Sequence, residues 1–172
     1  NPEFASLRDP RIKAGIPIAP WGMNMGFWEA EGLAGLTGPI LFVAGDADQT
    51  SGYDNGVKAA FNGASNADPR YMLVFKNAGH SVAAPIPLPV EFLGREDTAG
   101  AGHYTDPVWD TLRMNNILQH FTTAFLGIYL KGEESHRRYL ELPGDGAGEN
   151  TWEGFADGDA VGLRFYHNVS AD

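Results

Sequence analysis

The stretch "PILFVAGDAD" (39–48), followed farther along the chain by "YMLVFKNAGHS" (71–81), decides the fold. Each of these two stretches begins with a continuous apolar run, which is typical of strands that are buried on both faces of a parallel sheet. The segment between them, "GYDNGVKAAFNGA" (52–64), has the apolar spacing of a short helix. A strand, a helix and a second strand in this order predict a βαβ crossover, and therefore parallel pairing of the two strands.

The flanking segments extend this pattern on both sides. "KAGIPIA" (13–19) predicts a third buried strand, although Pro17 removes one ladder hydrogen bond, and "AVGLRFYHN" (160–168) alternates like an edge strand. Between them, residues 106–132 predict a long amphipathic helix with Asp106 as its N-cap. The pattern predicts an α/β fold of parallel strands with crossover helices. Because so few strands leave open edges, we expect the sheet to be incomplete and the chain to form one side of a larger α/β sheet.

Composition narrows the classes of protein to consider. The chain has 172 residues, of which 43% are hydrophobic and 20% charged, so it is long and apolar enough for one globular domain. A formal net charge of −10 is unfavourable for binding nucleic acid or an anionic membrane, and we expect neither as a partner. Since the chain has no cysteine, it contains no disulfide, thiolate–zinc site or cysteine nucleophile.

Polar side chains follow both predicted strands at their ends. Asp46 and Asp48 come directly after the first strand, and His80 follows the second. Parallel strands bring their carboxyl ends to the same edge of a sheet, where ligands of open α/β sheets bind, so Asp48 and His80 are expected to be neighbours. A carboxylate beside an imidazole fixes its tautomer and stabilises the imidazolium that forms during proton transfer. The sequence therefore predicts an acid–base pair at this edge.

"PILFVAGDAD" followed by "YMLVFKNAGHS" resembles the C-terminal half of an α/β-hydrolase. "DPRIKAGIPIAPWG" (9–22) is similar to the segment after the nucleophile helix in dienelactone-hydrolase-like members of that superfamily. "DADQTSGYDNG" and "DPVWDTLRMNNILQHFTTAFL" resemble predicted bacterial members of this branch. The resemblance covers most of residues 8–132. It implies that residues 1–132 are the C-terminal half of a hydrolase domain, with residues 133–172 as a C-terminal extension packing on it.

The resemblance implies a catalytic acid at Asp48, three residues after the strand-ending glycine, and a catalytic base at His80. Asp46 is then a hydrogen-bonding loop residue. It also implies a serine nucleophile on a G-x-S-x-G turn and an oxyanion hole, which both precede this half in the order of the fold. The nearest match, "GASNA" (63–67), follows Asp48 and has no strand before it, so Ser65 is interpreted as an ordinary loop serine. The chain is thus expected to carry the acid and base without the nucleophile.

Aromatic and sulfur-containing side chains after the predicted strand 13–19 are candidates for the wall of a substrate pocket, together with two residues of "AGHYTDP" (101–107). The predicted substrate-binding residues are Trp21, Met23, Phe27, Trp28, His103 and Tyr104. The alternative is that the first four pack against the missing half and the last two anchor their loop. "DADQTSGYDNGV" does not match a calcium-binding EF-hand loop, and we expect neither a metal nor a cofactor.

The expected function is that of a serine hydrolase acting on small carboxylic esters or lactones and inactive as this chain alone. Its expected partner is the N-terminal half of the same hydrolase, joined covalently or as a second chain, and open sheet edges also favour a homo-oligomer.

Two alternatives stay open. One is a non-catalytic half-hydrolase that serves as an interaction or assembly module. The other is the same fold with an aspartate nucleophile, as in haloalkane dehalogenases and epoxide hydrolases. The source is expected to be bacterial, with the compartment open between cytoplasm, periplasm and secretion.

Overall fold

The computed structural model describes residues 9–83, 88–95, 100–144, 146 and 152–168. Within these residues, three strands form one sheet in the order β1 (Ile40–Gly45), β2 (Arg70–Phe75) and β3 (Leu163–His167). β1 and β2 are parallel, whereas β2 and β3 are antiparallel. The protein is therefore α/β as predicted, but its sheet is mixed rather than purely parallel, because the last strand returns in the opposite direction.

The described residues contain three α-helices: α1 (Ala30–Leu33), α2 (Lys58–Gly63) and α3 (Thr111–Lys131). A turn of π-helix at Tyr53–Val57 runs directly into α2 and with it forms the connection from β1 to β2. This confirms the predicted βαβ crossover. Short 3₁₀ turns occur at Met23–Met25, Val90–Phe92, Ala101–His103 and Glu134–Tyr139.

The predicted strand 13–19 lies parallel to β1 but pairs with it only at isolated bridges. Gly15 and Pro17 accept hydrogen bonds from backbone N–H groups of β1 at 3.0 and 2.9 Å, and the N–H of Ala19 donates to β1 at 2.9 Å. Pro17 has no N–H group, so one rung of the ladder is missing where the proline faces β1. The prediction of a regular strand was wrong here, but the segment still forms the outer edge of the sheet, with Ile18 exposed on it.

Helix α3 begins later than the predicted start at Asp106. Its N-cap is Asp110, whose carboxylate accepts a hydrogen bond from the backbone N–H of Arg113 at 2.7 Å. Gly132, in a left-handed conformation with φ 73°, ends the helix as predicted. Asp106 lies outside the helix, and its carboxylate instead makes contacts beside the end of the sheet.

The core lies on both faces of the sheet. On one face, side chains of α3 share one core cluster with residues of all three strands, and its rings contact those of β2 and β3. The largest fully buried side chains of this layer are Leu41, Leu73, Phe75, Met114, Phe121, Phe125, Leu140, Trp152, Leu163 and Phe165. The opposite face packs against α2 through Phe42, Val57, Phe61 and Val74. Within the described residues, no helix is both long and apolar enough to cross a membrane.

The segment 133–172, predicted as an extension, contributes β3 and Trp152 to the same core as residues of the first 132. The ends of the two predicted units, residues 1–8 and 169–172, lie outside the described part of the chain. The described portion of the extension therefore supplies the third strand of the sheet, next to β2.

His120 on α3 lies between the rings of Tyr139 and Phe155, at centroid distances of 5.1 and 5.0 Å. Its Nε2 atom is buried and has no hydrogen-bond partner among the residues that the structure describes. Burial lowers the pKa of His120 below its ordinary value, because the charged imidazolium loses water in this apolar setting.

This lowered pKa predicts a specific loss of stability in acid. As the pH falls below about 6.5, the unfolded chain takes up a proton at this imidazole more readily than the folded chain does, so folding becomes less favourable. We expect His120→Phe to keep stability that the wild-type protein loses between about pH 7 and pH 5. Guanidinium unfolding curves at both pH values measure the difference, with His167→Phe at the exposed end of β3 as control. An equal fall for wild type and His120→Phe would contradict the prediction.

Candidate active site

Asp48 is held rigidly in the loop that follows β1. Its Oδ1 atom accepts hydrogen bonds from the backbone N–H groups of Thr50 at 2.8 Å and Ser51 at 2.9 Å. The side chain has no exposed surface. Gly45, the last residue of β1, is required here because a side chain would collide with the backbone carbonyl of Ala78. The loops after the two parallel strands therefore lie directly against each other.

His80 lies on the loop after β2 and faces Asp48. Its Nδ1 atom is 3.0 Å from Oδ2 of Asp48. An ionised carboxylate only accepts hydrogen bonds, so Nδ1 carries the proton and Nε2 of the neutral ring is left with a free lone pair. The His80 side chain is 41% exposed, in contrast to the buried carboxylate behind it. The arrangement presents a proton-accepting nitrogen to the outside and fixes its tautomer from the inside.

Ser51 is a third member of this cluster that the sequence reasoning missed. It is fully buried, and its hydroxyl donates to the backbone carbonyl of Ala19 at 2.8 Å. The same oxygen lies 3.3 Å from Nδ1 of His80, on the side that faces Asp48. The one local indication of its role in the sequence is its position in the loop, three residues after Asp48. Its hydrogen bond to Ala19 joins distant parts of the chain, and no pattern in the sequence predicts it.

Asp46 has a different role from Asp48. Its carboxylate accepts a hydrogen bond from the backbone N–H of Asn77, which has a positive φ of 61°. Its Oδ2 atom also lies 3.4 Å from Nη1 of Arg164 on β3. Asp46 therefore ties the loop after β1 to the loop after β2 and to the edge strand, while Asp48 alone of the two contacts the imidazole.

The exposed side of His80 opens into a depression of about 360 Å³. Its lining residues are Ile18, Ala19, His80, Ser81, Val82, Ala83 and His103. The structure thus brings His103, one of the predicted substrate-binding residues, to the same depression as His80. Tyr104 is not among the lining residues, and its ring packs against Phe92 at a centroid distance of 6.0 Å.

The four residues of the aromatic loop lie outside this lining. Trp21 and Phe27 make an edge-to-face contact at 5.1 Å, and Phe27 is 60% exposed. Trp28 packs against Gly22, and Met23 packs against the core beside α2. Trp21, Phe27 and Trp28 are thus exposed apolar side chains, and Met23 belongs to the edge of the core.

Among the described residues, no group of three or more histidine, aspartate or glutamate side chains is arranged to hold a metal ion. No protein-family model matches the chain, and no curated protein matches it. The site itself is a carboxylate–imidazole pair beside an open depression.

Proposed function

We propose that this chain supplies the acid and the base of an α/β-hydrolase, a dienelactone-hydrolase-like serine hydrolase that acts on carboxylic esters or lactones. The observation that carries the proposal is the 3.0 Å contact between Asp48 and Nδ1 of His80 at the ends of two neighbouring parallel strands. The order of the residues along the chain, with acid before base, is the order of that fold. The half-exposed imidazole beside a depression adds the access that a substrate needs.

The chemistry follows from the tautomer. The serine hydroxyl attacks the ester carbonyl, and Nε2 of His80 takes its proton while a tetrahedral oxyanion forms. Asp48 stabilises the resulting imidazolium through Nδ1–H. His80 then gives the proton to the leaving alcohol oxygen, which breaks the ester bond and leaves an acyl-enzyme. In the second half, His80 takes a proton from water as the water oxygen attacks the acyl carbonyl. His80 then gives that proton to the serine oxygen as the acyl–serine bond breaks and the acid leaves.

The nucleophile in this proposal comes from outside the 172 residues. Among the residues that the structure describes, two serines lie close to His80, and neither is suited to the role. Ser51 is buried beside Nδ1 rather than Nε2, and Ser81 donates its hydroxyl to the backbone carbonyl of Gly102 at 2.6 Å. An N-terminal half of the same hydrolase, covalently joined or as a second chain, brings the serine and the oxyanion hole.

The outer edge of the sheet is the surface on which we place this N-terminal half. Along segment 13–19, residues whose backbone groups bond to β1 alternate with residues whose backbone groups face away from β1. Ile18 in this segment and Ile12 just before it are exposed. Added strands bind such edges through backbone hydrogen bonds. The exposed aromatic loop with Trp21 and Phe27 adds apolar area beside the edge. The same features favour the second candidate function, a non-catalytic assembly module in which a second copy of the chain covers the edge.

Covalent labelling with a fluorophosphonate probe tests the proposal in the protein that combines this chain with its N-terminal half. We expect one labelled serine in that half, and labelling at least about 100-fold slower in His80→Ala, because the serine loses its base. His167→Ala, at the exposed end of β3, should label like the wild type.

The other outcomes separate the alternatives. A label on Ser51 or Ser81 would refute the external nucleophile. Hydrolysis that depends on His80 without any labelled serine would favour the aspartate nucleophile. The absence of both labelling and hydrolysis, together with a stable self-association, would favour the assembly module.

A further inference from the structure

The carboxylate of Asp106 is bound to the loop that presents His80. Its Oδ2 atom accepts a hydrogen bond from the backbone N–H of Gly79, the residue before the base, at 2.7 Å. Its Oδ1 atom accepts from the N–H groups of Val108 and Trp109, both at 2.9 Å. One carboxylate thus binds three donors and joins the base loop to the turn that precedes α3.

The turn itself is anchored on β2. The indole N–H of Trp109 donates to the backbone carbonyl of Lys76 at 2.8 Å, and its ring meets Phe75 edge-on at 5.1 Å. The loop from Lys76 to Gly79 is therefore held at both of its ends by the same turn. Because Trp109 fixes the turn against the sheet, Asp106 fixes Gly79 relative to the sheet as well.

The side chain of His80 is 41% exposed, so the protein surrounds it only in part. In the described part of the chain its hydrogen bonds are all at Nδ1, to Asp48 and Ser51, and the rest of the side chain faces the depression. The ring therefore stays in place only while the backbone that carries it keeps Nδ1 within reach of Asp48.

We propose that Asp106 is the positioning residue for His80, holding the imidazole in hydrogen-bonding reach of Asp48. A carboxylate suits this role because both of its oxygens accept, and hydrogen bonds to a charged acceptor are stronger than neutral ones. An asparagine offers only one accepting oxygen. It keeps either the turn at Val108 and Trp109 or the bond to Gly79, and the amide nitrogen then opposes an N–H donor on the other side.

Asp106→Asn tests the proposal in the 172-residue chain itself, without any need for the nucleophile. Nitrogen-15 spectra of the imidazole ring report how far His80 keeps the single Nδ1–H tautomer. We expect the wild type to show widely separated Nδ1 and Nε2 shifts and a downfield Nδ1 proton. In Asp106→Asn the two shifts should move toward the average of exchanging tautomers, with loss of the Nδ1 proton signal.

Asp110→Asn is the matched control. It makes the same change of charge and shape in the same segment, and asparagine caps a helix as well as aspartate does. We expect its His80 spectrum to equal the wild type. Equal spectra for Asp106→Asn and wild type would overturn the proposal. If Asp106→Asn does not fold, amide exchange in the wild type decides: a Gly79 N–H that exchanges as fast as an exposed loop amide would equally overturn it.

The proposal rests on the proposed function only for its effect on turnover. In the protein that also holds the N-terminal half, Asp106→Asn should lower kcat roughly 10- to 100-fold with little change in KM, because misplacement of a base affects the transition state. Changed His80 spectra without ester hydrolysis in any preparation would leave the positioning role intact and refute the hydrolase. If hydrolysis depends on His80 but the His80 spectra of Asp106→Asn equal those of the wild type, the positioning role is refuted and the hydrolase stands.

Discussion

Replacing Asp48 by asparagine is expected to lower kcat for ester hydrolysis about 10³- to 10⁴-fold in the protein that carries the nucleophile. The new Oδ1 atom still accepts from the N–H groups of Thr50 and Ser51, so the loop keeps its shape. The new amide nitrogen then faces Nδ1 of His80 and donates to it. This moves the ring proton to Nε2, where it blocks the acceptance of the serine proton. Values of kcat and KM for p-nitrophenyl acetate measure the effect.

Asp46→Asn is the control for this substitution. It changes a neighbouring carboxylate on the same loop, and its side-chain oxygen still accepts from the N–H of Asn77, although the contact with Arg164 is lost. Because Asp46 does not contact His80, its loss of kcat should be much smaller. Comparable losses for the two variants would mean that Asp48 acts through loop structure rather than through the tautomer, and the assignment of the acid would be withdrawn.

The β1–α2–β2 unit and the proximity of Asp48 and His80 could be predicted from the sequence for one physical reason. Two continuous apolar runs separated by a short helix leave parallel pairing as the simplest way to bury both strands. Parallel strands then bring the residues after their ends together without any knowledge of side-chain packing. The 3.0 Å contact between Asp48 and His80 depends on the parallel pairing of the two strands, and the apolar pattern predicts that pairing.

The exact start of α3 could not be predicted in the same way. Asp106 and Asp110 are both good caps, and the first is followed by Pro107, which favours the first turn of a helix. The choice depends on the contacts of Asp106 with Gly79 and of Trp109 with Lys76, which join segments far apart in the chain. Tertiary hydrogen bonds therefore decide between two local signals of similar strength.

The residues predicted to bind substrate show a second limit of the sequence. Aromatic and methionine side chains after a strand are equally suited to a pocket wall and to a surface that another segment covers. His103 lines the depression beside His80, whereas Trp21 and Phe27 lie exposed near the sheet edge. Composition alone does not distinguish a pocket wall from a covered surface, because both need apolar side chains and differ only in whether a substrate or another protein segment contacts them.

Phe121→Ala is expected to lower the free energy of unfolding of this chain by about 3–5 kcal/mol. Phe121 has no exposed surface, and its ring stacks on Phe165 of β3 at 5.1 Å and 17°. It also meets the rings of Trp152 and Phe155 edge-on or tilted, at 6.0 and 5.9 Å. Removing it leaves a cavity between α3 and the sheet, and a domain of ordinary stability has only about 5–15 kcal/mol in total. Guanidinium unfolding curves measure the loss.

Leu112→Ala on the same helix provides the control, because Leu112 is 70% exposed and its loss should cost no more than about 0.5 kcal/mol. The comparison also tests whether residues 133–172 fold with the rest. Phe165 and Trp152 belong to that segment, so a large, single-step loss in Phe121→Ala requires one cooperative unit across residue 132. A cost no greater than that of Leu112→Ala, or a second transition in the variant, would mean that the C-terminal segment melts separately. β3 would then be an addition to the edge of the sheet that the Asp48–His80 pair does not need.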